Sequence, residues 1–497
     1  MLNRLVQMMI QFVIRTVFIR ILGNEYTGVS SLFTDILQVL SLMELGLDAS
    51  MTYSLYKPLS RNDTAKVASL LNFYRKAFNI IGIGVLVSGV ICTPFLKYII
   101  KGVPNITEDI RGIFLMYVAT TAFSYFMIYR TILLNADQQS RIAMNIRSIT
   151  LVIETGIEVL LLFIFRKFYA YLIVRLVSVI IRNLIITYIT TKKYPDYFKG
   201  KCEPLSKDEK RILFRDLACL TVYNTSGVVI NSTDSIFISA FTGTVEVAII
   251  TNFTLITNSV RSAVNQVVNA AKPSIGNLAA TRSEQQQKIV FDRMNFIAFV
   301  VSCLCCTCFT TLLNPFIGDI WFNESYKIPQ ITVFIIVINF YIAVMVFPLE
   351  SFRSANGLFV QGWIRPAVMA VMNIVLDFYM GRRWGIVGIF LATTISRVLT
   401  QVWYDPYLVY KHVFRERVGR YYLDYVKYFM ITMSSCLISY YVCQRLIIPN
   451  RYLNVIIRGV ISVAAASALI WVIFRNTTEF EYIKDMIKKI RKKLLHR

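Results

Sequence analysis

The chain is short of charge. Only 16% of its 497 residues are Asp, Glu, Lys or Arg, against about a quarter in a soluble protein. So little polar surface excludes the two or three water-soluble domains expected at this length. Histidine is almost absent, with His412 and His496 far apart. Of nine cysteines, Cys303, Cys305, Cys306 and Cys308 crowd one apolar run. Residues two apart face different sides of a helix, and metal ligands have to converge on one point. These cysteines therefore read as packing residues, with no metal and no cofactor. There is no GxxxxGK[ST] loop to hold the phosphates of ATP. The first apolar run, 5–21, leads into a second without a small-residue cleavage site, so no cleaved leader is expected. Long loops are scarce as well: 22–28, 241–245 and 381–384 are turns. A membrane glycosyltransferase or polymerase needs acid or base groups at its outer face, usually on a substantial loop. Only 97–111 and 318–329 offer one, so no catalytic residue is assigned and an enzyme is not expected.

What the chain has is apolar length. Hydrophobic residues make up 56% of it, and the mean hydropathy is +0.56. Runs of about 20 apolar residues recur from end to end, each enough to cross a hydrocarbon core of about 30 Å as a helix. The pattern predicts an all-α, polytopic membrane protein of roughly fourteen transmembrane helices. Thr191–Asp216, the longest stretch without helical character, falls halfway along that count. Two seven-helix lobes around a central cavity are therefore expected, at 1–191 and 217–475, with a cytoplasmic linker at 192–216 and a basic tail at 476–497. A weak repeat supports the division. Leu22-Gly23 and Thr242-Gly243 each close a helix, and the next helix ends in Lys57-Pro58 or Lys272-Pro273. Repeated halves are common in transporters, whose substrate sites lie between them.

The net charge of +24 suggests nucleic acid until the charges are placed. With the N-terminus inside, cytoplasmic segments carry 35 Lys and Arg and external ones 11. That bias is expected to put both termini in the cytoplasm. The tail 484–497 then faces anionic lipid, and nucleic acid is not an expected partner.

Several segments resemble one family in order. Arg20-Ile-Leu-Gly-Asn-Glu-Tyr-Thr-Gly28, Glu44-Leu-Gly-Leu47 and Tyr53-Ser-Leu-Tyr-Lys-Pro-Leu59 resemble the start of polysaccharide-biosynthesis flippases. These belong to the multidrug/oligosaccharidyl-lipid/polysaccharide exporter superfamily. Asn72-Phe-Tyr-Arg-Lys76, Ala136-Asp-Gln-Gln139, Asn231-Ser-Thr-Asp-Ser-Ile-Phe-Ile-Ser239, Lys272-Pro-Ser-Ile-Gly-Asn277 and Gly385-Ile-Val-Gly388 continue the likeness over nearly the whole chain. Each motif is weak alone; their order is what is specific. The resemblance implies a secondary transporter that flips an undecaprenyl-diphosphate-linked oligosaccharide from the cytoplasmic to the external leaflet by alternating access. An H+ or Na+ gradient would drive it. The main alternative within the superfamily is a drug or cation exporter, which a cationic lumen would disfavour.

Charges inside the apolar runs mark the candidate sites. Each Arg or Asp at mid-bilayer costs about 2.5–3.5 kcal/mol on insertion scales, so it must be paired, snorkel or line a wet cavity. At ~1.5 Å per residue, Glu158 and Arg175 lie at similar depth on consecutive helices, as do Glu154 and Arg182. The depths predict two structural ion pairs. Arg15 and Asp35 also match in depth, and could form a seam or a proton-sensitive gate. Arg261 and Arg397 have no depth-matched acid on a sequence neighbour. A diphosphate would supply the missing charge to their planar guanidinium forks. Arg261, Arg397 and Arg15 are thus the candidate substrate-binding residues, and Asp35 and Asp234 the candidate gating or coupling acids. Pairing of the arginines with Asp234 or Glu350 stays open.

Sidedness has a direct measurement. A cysteine introduced at Glu246 is expected to react with an impermeant thiol reagent from outside, and one at Lys207 only after permeabilisation. The reverse pattern would overturn the orientation.

Overall fold

The structure is a computed structural model that describes residues 2–41, 47–101, 106–199, 230, 232–281, 283–356, 358, 362, 364–446, 448–482, 484, 485 and 488. Among these residues there is no strand, and the protein is all-α. The reason is the solvent: hydrocarbon offers no hydrogen-bond partners, so each spanning segment satisfies its own backbone as a helix. Eight described helices are long and apolar enough to cross a membrane, and nine if the bent pair Ile110–Tyr125 and Ile128–Ala136 counts as one span. The chain divides into two compact units, Met1–Ala248 and Ile249–Arg497.

In the first unit, α1 (Leu2–Leu22), α2 (Asn24–Leu40), α3 (Leu47–Ser60) and α4 (Thr64–Cys92) are followed by the short α5 (Leu96–Ile99). Then come α6 (Ile110–Tyr125), α7 (Ile128–Ala136), α8 (Ser140–Phe165), α9 (Phe168–Lys193), α10 (Pro195–Lys199), α11 (232–241) and the first turns of α12 (Thr244–Thr281). Among the described residues, two large apolar cores and a smaller one around Leu134, Ala143 and Ile186 hold it. Phe18, Phe33, Phe114, Tyr117 and Phe168 form one large core, with edge-to-face rings such as Phe33 on Phe114 at 5.0 Å. Tyr74, Phe78, Tyr129, Leu133 and Ala136 form the other, covered by Tyr194, Tyr197 and Phe198.

The turns at 22–26, 166–168 and 241–246, with residues 99–101 and 106–109, are tied together at one end of this unit. Glu108 accepts hydrogen bonds from the Tyr26 hydroxyl, the Phe168 amide at 2.9 Å and the Thr107 hydroxyl at 2.9 Å. Lys101 Nζ donates to the Phe241 carbonyl at 2.5 Å, and the Thr244 hydroxyl to Glu25 at 3.0 Å. Gly28 lets α12 approach α2. A Cβ there would sit 1.8 Å from the Thr244 carbonyl oxygen, so any side chain would force the helices apart. At the other end, Tyr194 donates to Asp137. Arg130 donates to Thr190 at 3.0 Å and Thr191 at 2.8 Å.

The expected linker, 192–216, lies mostly outside the described residues. Residues 232–244 have a definite place: Ser232 donates to Gln38 at 3.3 Å, and with Phe241 and Thr244 it joins α11 to the first unit. Contacts divide the chain into compact units after Ala248. The repeat seen in the sequence has a backbone counterpart, since Gly23 (φ 92°) and Gly243 (φ 125°) both adopt positive φ at the helix ends they close.

In the second unit, α13 (Glu284–Pro315) packs against α14 (Gln330–Met345), α17 (Gly419–Gln444) and α18 (Arg451–Phe474). Small polar side chains stitch these helices: Thr307 with Ser435 at 2.9 Å and Thr311 with Ser462 at 2.6 Å. Such bonds are worth about 0.6–2 kcal/mol each in a bilayer. Cys303 and Cys306 are fully buried in this packing, and the seven described cysteines are free thiols. α15 (Phe347–Ala355) follows α14, and α16 (Ile364–Val409) is a helical hairpin in all but name, broken at Gly385 (φ 58°, ψ −135°). Lys327, in the turn before α14, pairs with Asp319 at 2.7 Å and lays its stem over Gly318. The Asp319 bond raises its pKa.

Glu108 gives the fold a pH dependence. Burial opposes its charge, but the bonds from Tyr26, Phe168 and Thr107 outweigh that and hold its pKa below the ordinary 4.5. A depressed carboxyl pKa stabilises the fold above its unfolded value and loses that contribution as pH falls through the folded one. Glu108→Gln should lower the thermal midpoint at neutral pH, and the gap to wild type should close as the pH drops below about 4.5. A gap unchanged in acid would remove Glu108 from this role.

Candidate functional site

The charged residues that the sequence singles out sit in two polar clusters of the first unit and two of the second. On α1, Arg15 donates to the Ser31 hydroxyl and to the Ala248 carbonyl, both at 3.2 Å. Asp35, four residues beyond Ser31 on α2, is hydrogen-bonded to Ser235 of α11. Asp234, next to Ser235, is half-buried. The structure thus draws α1, α2, α11 and the start of α12 around Arg15 and Asp35. α12 and α2 can meet there because Gly28 has no side chain.

The second cluster lies between α8 and α9, and here the structure corrects the sequence. Glu154 and Glu158 were expected to form ion pairs with Arg182 and Arg175. Neither pair closes among the described residues. Glu154 instead accepts from the Ser178 hydroxyl at 2.7 Å. Arg175 stacks its guanidinium over the Tyr117 ring at 5.6 Å. The charges are near enough to act on one another, Glu158 and Glu154 on Arg175 and Glu154 on Arg182. Depth along two antiparallel helices fixes height. It does not fix rotation about each axis, and rotation decides which side chains touch.

In the second unit, Arg261 lies in α12, and Glu350 of α15 is the acid whose field reaches it. Among the described residues Arg261 forms no ion pair, and it is half-buried. Arg397, in the second half of α16, donates to the Asn339 carbonyl at 3.1 Å. Asn339 in turn donates to the Phe390 carbonyl at 3.0 Å. Asn339 thereby ties α14 to the hairpin arm that carries Arg397.

Two groups in this unit escaped the sequence reading. Asn373 and Asp377, fully buried in the first arm of α16, face Thr393 in the second arm. Asn373 Nδ2 donates to Asp377 at 3.3 Å and to Thr393 at 3.2 Å. The result is a knot of buried side-chain oxygens across the hairpin, including one carboxylate. Its sequence signal is Asp377 itself, an acid within an apolar run. The other group is Asp405, which bonds Arg365 at 2.9 Å and Arg353 at 3.5 Å, all three side chains buried. Arg353 and Arg365 count as cytoplasmic loop charges in the sequence. The fold turns both inward, onto a shared carboxylate that joins α15 to both ends of α16. No group of three or more His, Cys, Asp or Glu side chains that could hold a metal occurs among the described residues.

This architecture has known relatives. The lipid II flippase MurJ in its inward closed conformation superposes with a TM-score of 0.69 at 14% identity, over 96% of this chain and 98% of that one. The Vibrio cholerae MATE transporter VcmN matches with a TM-score of 0.58 at 15% identity, over 84% of this chain and 95% of that one. A multidrug resistance MATE family transporter of the MOP superfamily, inward-facing, matches with a TM-score of 0.57 at 14% identity, over 80% and 93%. At such identities the likeness establishes a shared transporter fold and no more. Among curated proteins, none matches the chain in sequence. The profile of one family, described as polysaccharide biosynthesis protein, matches residues 1–279. That match covers more than half of the chain, and with the MurJ-like fold it establishes that this multi-pass membrane protein belongs to the polysaccharide biosynthesis protein family.

Proposed function

We propose that the protein flips a polyprenyl-diphosphate-linked oligosaccharide from the cytoplasmic to the external leaflet by alternating access, for cell-surface polysaccharide synthesis. The observation that carries the reading is Arg261, a half-buried guanidinium on α12 on which, among the described residues, Glu350 is the acid acting through space. Without a stronger partner it would be costly there. A diphosphate offsets that cost with charge-assisted hydrogen bonds to a planar fork. Arg397 and Arg15 extend the same chemistry to the second and first units. Each spends some donors on backbone carbonyls, which fixes its direction. A cationic drug would meet repulsion from these groups. The family match and the MurJ-like fold support the reading at the level of substrate class.

Turnover draws on an ion gradient of H+ or Na+, and Asp377 is the acid best placed to bind the ion in the second unit. Its carboxylate can take up a proton, and together with the oxygens of Asn373 and Thr393 it offers the hard oxygen ligands that Na+ would require. Asp35 and Asp234 are the corresponding candidates in the first unit.

Two experiments test this. Arg261→Ala should insert and fold normally, yet leave the lipid-linked precursor accumulating on the cytoplasmic side. Arg261→Lys should retain part of the activity, since it keeps the charge and loses the fork. Normal export by both Arg261→Ala and the Arg261→Ala/Arg397→Ala double variant would overturn the diphosphate reading. A separate measurement concerns coupling: Asp377→Asn should abolish the dependence of transport on an imposed H+ or Na+ gradient at matched protein level. Gradient-driven transport that persists in this variant would exclude Asp377.

A further inference from the structure

The α8–α9 seam contains a group that the transport reading does not use. Glu158 is 4% exposed, and its Oε1 has no hydrogen-bond partner. Among the described residues it closes no ion pair. An ionised carboxylate in this position would leave an oxygen bare of donors in a low-dielectric interior. That arrangement costs several kcal/mol unless a close cation and hydrogen bonds offset it.

The charged and titratable neighbours offer no such offset. On its own helix are Glu154, one turn away, and Arg147. Glu154 is itself 8% exposed and repels a second negative charge. From α9 come Arg175, Arg182 and Tyr171, and from α6 Tyr117. Arg15 on α1 reaches the seam through its field at Tyr117. On α7, Arg130 is occupied by Thr190 and Thr191. Arg175 is the nearest cation, and its guanidinium is engaged with the Tyr117 ring. Glu154 already has the Ser178 hydroxyl and takes the larger share of Arg182. One full negative charge suits this seam better than two.

We propose that Glu158 is a proton-binding site of the first unit, a neutral carboxylic acid at neutral pH. Its ligand is a single proton, and its partner in exchange is Arg175. Release breaks the O–H bond, passes the proton to water and leaves the electron pair on the carboxylate. That state becomes favourable when the Arg175 guanidinium swings from the Tyr117 ring onto Glu158. The site is separate from Arg261 and from Asp377, and its existence does not depend on which molecule is transported.

The test is infrared spectroscopy on the full-length protein in membranes at about pH 7, where an exposed glutamate with a pKa of ~4.3 is almost entirely ionised. The wild-type minus Glu158→Gln difference should contain the carbonyl band of a protonated carboxyl group, shifted in D2O. Glu154→Gln removes the repelling charge, so in that variant the band should persist but give way to carboxylate at a lower pH than in the wild type. Glutamine is isosteric with the neutral acid, so Glu158→Gln should keep its thermal midpoint. A difference spectrum with only carboxylate bands overturns the proposal. So does a Gln variant that fails to fold, because the lost group would then have been carrying a charge.

Discussion

The hydrocarbon interior supplies no hydrogen bonds and scarcely screens charge, and the rest of this structure follows from that. Backbone groups close into helices, and apolar side chains cover the outside, as the exposed Ile, Val and Leu of α4, α8 and α9 show. Every polar group has to find its partner within the protein. The consequences differ between the two units. In the first, polar links concentrate at the end where Glu108, Lys101 and Thr244 tie loop to helix. In the second, they run through the body of the unit, from the Ser and Thr contacts of α13 to Asp405 and Asp377 within α16.

The buried charges divide by how completely they are matched. Asp405, shared by Arg353 and Arg365, is a fixed joint: loss of the acid would strand two guanidinium groups, a penalty of about 3–5 kcal/mol for a broken buried pair. Glu154, Glu158, Arg175 and Arg182 are looser: they are close enough to influence one another, while Glu154 bonds the Ser178 hydroxyl and Arg175 lies over the Tyr117 ring. Arg261 is looser still. A transporter needs both kinds, since a fully matched charge has no reason to exchange partners and a poorly matched one does.

Small residues set the geometry in which these groups meet. Gly28 admits the Thr244 carbonyl, bringing α12 against α2 beside Arg15 and Ser31. Gly385 breaks α16 so that Asn373 and Asp377 on one arm face Thr393 on the other. Both glycines fall within segments that carry the family resemblance, and each has a steric reason to be there.

The sequence by itself determined that the chain is helical and membrane-spanning, because apolar length and scarce charge leave no other solution. It also determined the family, through short motifs in a fixed order, and it marked Arg15, Asp35, Arg261 and Arg397 as charges needing an explanation. Periodicity gives the height of a residue along its helix. Only the tertiary structure decided rotation and neighbours. That is why Glu154 turns to Ser178 rather than Arg182, why Arg353 and Arg365 leave the loop surface for Asp405, and why 232–248 pack with the first unit. Those outcomes rest on contacts between helices distant in sequence, where a few degrees of rotation exchange one partner for another.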